Sequence, residues 1–265
     1  MKKKVSLSDL LYVFILLVLI AVIIYSGVQI YSELKQYSAN KQLNEKLVSS
    51  AVIIPTAPPK PSEEAVPSST APEEPKVTPS VAINFEYLKQ ENPDVVAWII
   101  RDDGRISLPI VQARDNDYYL HRDINGGFNK CGTVFMDHIA DPEFKDDITW
   151  IFGHNMKDGS MFAPLKEYRA IADIAALSKI EIYTPNMPYI FEIKYVYLHS
   201  GYEELRSSFE SDIDWENYIS LIESRSLYKN PEKPQRSDRL AGLVTCEYDF
   251  DNARLIVLGV MHPMS

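Results

Sequence analysis

Hydrophobic residues follow three unlike patterns along the chain. From Leu10 to Ile30 the run LLYVFILLVLIAVIIYSGVQI is apolar on every face and carries no charge. A helix of that length, rising about 1.5 Å per residue, spans a hydrocarbon core of roughly 30 Å. Residues 31–50 are polar with scattered Leu and Val, and predict a short helix running on from the apolar one. Residues 51–80 show no period. From residue 82 onward short apolar runs alternate with turn residues: VVAWII (95–100), LPIVQA (108–113), GTVFMD (132–137), ITWIFG (148–153), KIEIYT (179–184), YIFEIKYVYLH (189–199), LAGLVTC (240–246) and RLIVLGV (254–260). They are rich in Val, Ile, Tyr, Phe and Thr and bounded by Asn, Asp, Gly and Pro, the pattern of strands.

About eight short strands in one stretch predict a mainly β fold, a closed barrel or sandwich. Three helical segments interrupt or precede it: 84–90 (NFEYLKQ), 161–170 (MFAPLKEYRA) and 212–230. The last places Ile213, Trp215, Tyr218, Ile219, Ile222 and Leu227 close to helical spacing. The layout that follows is a tail at 1–9, a transmembrane segment at 10–30, a stalk at 31–81 and a folded domain at 82–265. Eight of the 17 prolines lie between Pro55 and Pro79, among Ser, Thr, Ala and Glu without glycine. That composition forms no core and favours extended polyproline II.

Charge refines this picture. Lys2, Lys3 and Lys4 precede the apolar run, and the positive-inside rule puts them in the cytoplasm, with everything after Ile30 outside the cell. The competing reading is a cleaved signal peptide; the run is long for one, and no A-x-A site follows it closely. The chain carries 27 Lys+Arg against 37 Asp+Glu, a net −10. That balance argues against binding nucleic acid by phosphate neutralisation.

Candidate chemistry is sparse. No P-loop, dinucleotide fingerprint, HExxH or CxxC is present, and the five histidines lack metal-ligand spacing, so neither metal nor cofactor is expected. Cys131 and Cys246 admit three readings: a disulfide, a buried apolar residue, or a nucleophile. Cys246 suits the third, because it ends an apolar strand before a polar turn. Arg254, across that turn, offers fixed positive charge and five donors for a developing oxyanion. His154, at the end of ITWIFG, is the candidate base.

WIFGHNMKDGSMF (150–162), VTCEY (244–248) and RLIV (254–257), with NPDVVAWI (92–99), DNDYYLHRD (115–123) and CGTVFMDH (131–138), resemble the class B sortases. The resemblance covers roughly residues 84–265, and the helix at 212–230 looks like the insert of that class. It implies an eight-stranded sortase-type β-barrel on the outer face of a Gram-positive membrane, working as a cysteine transpeptidase. Such an enzyme cuts a C-terminal sorting signal of a secreted protein after Thr and joins the Thr to an amine of peptidoglycan or its lipid-linked precursor. By matching position Cys246 is the nucleophile, His154 the general acid and base, and Arg254 the oxyanion and substrate contact; Thr245 and Ile124 are taken as substrate-binding. Cys131 matches no sortase role and reads as a free buried thiol. Val244 stands where many class B members carry Ser. A pilus-polymerising sortase and a catalytically silent surface-binding domain are the alternatives.

Overall fold

A computed structural model of the chain describes residues 7–54, 79–169, 179–247 and 249–264. Two compact units form, Met1–Gln42 and Leu43–Ser265. The first is the body of a continuous helix α1, Leu7–Ala51. Its apolar run is exposed on every side, Leu11, Phe14, Leu17 and Ile24 included, and the helix is long and apolar enough to cross a membrane. The predicted short continuation over 31–50 is thus the same helix.

The second unit is built on α2 (Phe85–Glu91), α3 (Asp212–Arg225) and eleven strands. The strands are β1 (Val52–Ile53), β2 (Ala82–Ile83), β3 (Val95–Arg101), β4 (Ser107–Val111), β5 (Phe135–Met136), β6 (Ile148–Phe152), β7 (Ile180–Tyr183), β8 (Pro188–Ser200), β9 (Ser226–Lys229), β10 (Leu240–Cys246) and β11 (Ala253–Pro263). The main sheet runs β11-β10-β6-β5-β4-β3-β7-β8-β9, and β11 also pairs with β8, which closes eight strands into a barrel. The 13-residue β8 makes closure possible: its start pairs with β7, nearly its whole length with β11, and its middle with β9 on the edge β7 has vacated. Each of the eight strands expected from the apolar runs and turn signals lies on one of the barrel strands.

Two elements depart from expectation. The helix expected over 212–230 stops at Arg225, and Ser226–Lys229 becomes β9. Ser211 caps the helix start by accepting from Asp214 N–H at 3.2 Å. Its inward face is Trp215, Ile219 and Ile222, packed with Trp150, Val244, Ile256, Leu258, Tyr195 and Tyr197 on the sheet. Ile213 and Leu227, read as part of that stripe, are exposed. The segment expected as a helix over 161–170 is a 3-10 helix, Ala163–Arg169, with residue 170 outside the described residues.

The start of the folded domain also moves. It was placed at residue 82, but Leu43–Ile53 belong to the second unit. Leu47 and Ala51 are buried against Leu88, Val95 and Trp98, with Leu43 and Val48 beside them. The spacing 43, 47, 51 is one face of a helix, a stripe short enough to be lost among the polar residues around it. Val52 then pairs with Ile83, and Ile53 with Ala82. The segments that flank the proline-rich stretch therefore lie side by side. Residues 55–78 themselves lie outside the described residues.

Candidate active site

β6 and β10 are parallel, so their carboxyl ends emerge together, and β11 begins where β10 ends. Cys246, last in β10, is paired with Arg254, and Arg254 is paired on its other side with His199 of β8. Residues directly opposite in antiparallel strands share a face. Cys246, Arg254 and His199 thus form one row across three strands, and α3 packs beside them on the same face over Val244 and Ile256. Val244 in turn sits opposite Phe152 of β6, two residues before His154.

The loop after β6 is tightly specified. Phe162 is fully buried, and a Cβ on Gly153 would lie 2.7 Å from its ring, so only glycine admits that packing. Phe162 N–H donates to the His154 carbonyl at 2.9 Å, and Asn155 bridges to Met161. Asp158 closes the turn by accepting from Ser160 N–H at 3.0 Å and its hydroxyl at 2.7 Å. The sequence GHNMKDGSMF is therefore a small closed loop that delivers His154 to the barrel end.

His154, Cys246 and Arg254 line one groove of about 290 Å3 with Leu120, Phe135, Phe152, Val244 and Leu205 as its apolar walls. Asn116, Asp117, Thr133, His199 and Glu203 supply the polar lining. His154 Nε2 lies 2.7 Å from the Leu120 carbonyl. A carbonyl only accepts, so Nε2 carries the proton and Nδ1 keeps the basic lone pair in the neutral ring. The His121 ring stacks on His154 with centroids 5.8 Å apart. Burial pulls the His154 pKa below its ordinary value; the Leu120 bond opposes this, while His121 and Arg254 add to it. The resting imidazole is neutral at pH 7. Arg254 donates to its neighbour Ala253's carbonyl at 3.1 Å and has no carboxylate partner among the described residues, leaving its charge available to the groove.

The two cysteines are both free, which removes the disulfide reading. Cys131 is buried, and burial, helped by the charge of Asp158, pushes its thiol up to about 11. Cys246 is half-buried at the groove.

Thr245 lines the groove, but strand alternation turns its side chain to the opposite face from Cys246, and its buried hydroxyl has no partner among the described residues. Ile124 is not among the lining residues. It is buried in the cluster of Leu88, Val95 and Trp98, and its carbonyl accepts from Asn92 Nδ2 at 2.7 Å. Leu120, His121, Asn155, His199 and Glu203 received no individual role from the sequence; only tertiary pairing gathers them. No group of three His, Cys, Asp or Glu among the described residues is arranged to hold a metal ion.

No family model matches the chain. Sortase B of Listeria monocytogenes serovar 1/2a is 34% identical over 175 residues, covering 65% of this chain and 71% of the relative. The chain belongs to the class B sortase family. Among solved structures, the sortase B of Clostridium perfringens matches with a TM-score of 0.63 at 32% identity, over 67% of this chain and 99% of that one. The sortase B of Bacillus anthracis in complex with AAEK1 matches with a TM-score of 0.68 at 28% identity, over 87% of this sortase and 99% of that chain. A Staphylococcus aureus sortase B–substrate complex matches at 25% identity with a TM-score of 0.64, over 68% and 85%. The sortase described here is thus a member of a cysteine transpeptidase family with the barrel of that family.

Proposed function

We propose that this sortase uses Cys246 as its nucleophile, cleaving the sorting signal of a secreted protein after Thr and transferring the Thr carbonyl to an amine of peptidoglycan or its lipid-linked precursor. The observation that supports this most is the convergence of Cys246, Arg254 and His154 on one groove from the ends of β10, β11 and β6.

In the first half-reaction neutral His154 takes the proton of the Cys246 thiol, and the sulfur, now a thiolate, attacks the Thr carbonyl carbon. The oxyanion that forms is neutralised by the Arg254 guanidinium, whose fork of donors suits it. The C–N bond then breaks, the leaving amine takes a proton from the His154 imidazolium, and a thioester to Cys246 remains. In the second half, neutral His154 accepts a proton from the incoming amine as it attacks the thioester. The sulfur leaves, a new amide is made, and His154 returns the proton to Cys246, restoring the thiol and the neutral imidazole. The lowered proton affinity of His154 favours release of its proton to the leaving amine.

The apolar helix at Leu10–Ile30 is the membrane anchor in this reading. With Lys2, Lys3 and Lys4 on the cytoplasmic side, the catalytic domain faces the wall and the secreted substrates.

A fluorogenic peptide library randomised around a fixed Thr, with and without an amine acceptor, tests the reading on the full chain in detergent. Wild-type protein is expected to cleave a subset of peptides and to accumulate a hydroxylamine-sensitive acyl adduct on Cys246. Cys246→Ala is expected to abolish both, and equal cleavage by wild type and Cys246→Ala would sink the assignment. Absence of turnover across the whole library by folded wild type would leave a binding domain.

A further inference from the structure

The parallel ladder between β6 and β10 breaks off where the site begins. Its last rung is Gly153 N–H to the Val244 carbonyl at 3.0 Å. Carbonyls on one edge of a strand recur every second residue, so the next acceptor on that edge is Cys246. Its partner in a continued ladder would be the N–H of residue 155. The chain has already turned away, and the backbone of Asn155 bridges to Met161 instead. The Asn155 side chain takes the vacated rung, its Nδ2 donating to the Cys246 carbonyl at 2.8 Å.

We infer that Asn155 is a positioning residue for Cys246: its side-chain amide replaces the missing ladder rung, letting the chain swing His154 into the groove while the end of β10 stays fixed. The inference rests on the reading of Cys246 as the nucleophile. On the β11 side the next residue is held by Glu247 N–H to the Ala253 carbonyl at 2.9 Å. On the β6 side only Asn155 reaches the Cys246 carbonyl among the described residues. Without that bond the last peptide of β10 is tied on one edge alone, and the sulfur, borne on the same Cα, is free to drift. A misplacement of about 1 Å at a reacting atom costs on the order of a hundredfold in rate. His154 and Asn155 are adjacent, so one dipeptide sets the base and the backbone of the nucleophile together. The geometry also selects the side chain. Aspartate offers no donor when ionised, and serine is too short to span to β10.

The full chain in detergent, as wild type, Asn155→Ala and Asn155→Gln, is alkylated with iodoacetamide from about pH 5 to 9, and the rate at Cys246 is read by mass spectrometry. In parallel, kcat and KM are measured on the best peptide of the fixed-Thr library. Asn155→Ala is expected to alkylate about tenfold more slowly and to lose roughly a hundredfold in kcat, with KM within about threefold. Asn155→Gln, which keeps the donor, is expected to recover most of both. Wild-type alkylation and kcat in Asn155→Ala overturn the inference, as does a change confined to KM or a Gln variant no better than Ala. If Asn155→Ala fails to fold, Asn155→Ser is read by the same criteria. The alkylation measurement needs no turnover, so it judges Asn155 even where Cys246→Ala shows the nucleophile to be misassigned.

Discussion

His154 shows how a single side chain in the groove couples stability to pH. Its pKa in the folded protein is depressed, chiefly by burial. The unfolded chain therefore binds a proton more readily, and stability is full above about pH 6.5 and falls as the medium is acidified through the folded-state value. A His154→Gln variant is expected to lose part of that acid-side slope in denaturant titrations at a series of pH values; an unchanged slope would show the imidazole to be solvated. Gly153 is the second sensitive residue. Gly153→Ala places a methyl 2.7 Å from the Phe162 ring, which overpacks the loop at a cost of about 1–3 kcal/mol. The expected outcome is a lower melting temperature together with a loss of turnover larger than the loss of folded protein explains, since His154 hangs from the displaced loop. His154, Cys246 and Arg254 were legible as candidates because each stands at the border of an apolar run and a polar turn. Ile124 illustrates the converse: nothing local separates a core isoleucine from one lining a groove.

Elements marked by their own apolar run between turn residues were read well, and elements stabilised by distant partners were not. Each strand of the barrel lies on its own apolar run, rich in β-branched and aromatic residues between turn signals, whereas β9 has only four residues and exists because β8 offers an edge. The helical tail that sequence suggested for 226–230 lost to that pairing. The end of α1 is a similar case, since Leu47 stands in a mostly polar stretch, between Lys46 and Val48, yet is 2% exposed in the fold. Leu47→Ala is expected to destabilise the barrel by about 2–5 kcal/mol. A chain beginning at residue 82 should melt lower than one beginning at residue 43, measured by differential scanning calorimetry. Equal melting temperatures would show that the α1 end merely rests on the surface.

At the scale of the whole molecule, the pairing of Val52 with Ile83 brings together the two ends of the proline-rich stretch. Replacing residues 55–78 by a short Gly-Ser turn is expected to leave turnover of a soluble peptide unchanged. It should stabilise the fold by on the order of 1 kcal/mol, because a shorter loop costs less entropy to close. A fall in stability would mean that the excised residues themselves contribute packing. The apolar helix, the barrel class and the three candidate side chains could be read in one dimension, because each depends on local properties: an uncharged apolar length, short β-branched and aromatic runs between turns, and polar side chains at strand ends. The row Cys246–Arg254–His199, the bond from Asn155 to the Cys246 carbonyl and the docking of Leu47 could not. Each joins residues far apart in the chain, through a register set by the closing of the barrel, and no local pattern encodes which strand will lie beside which.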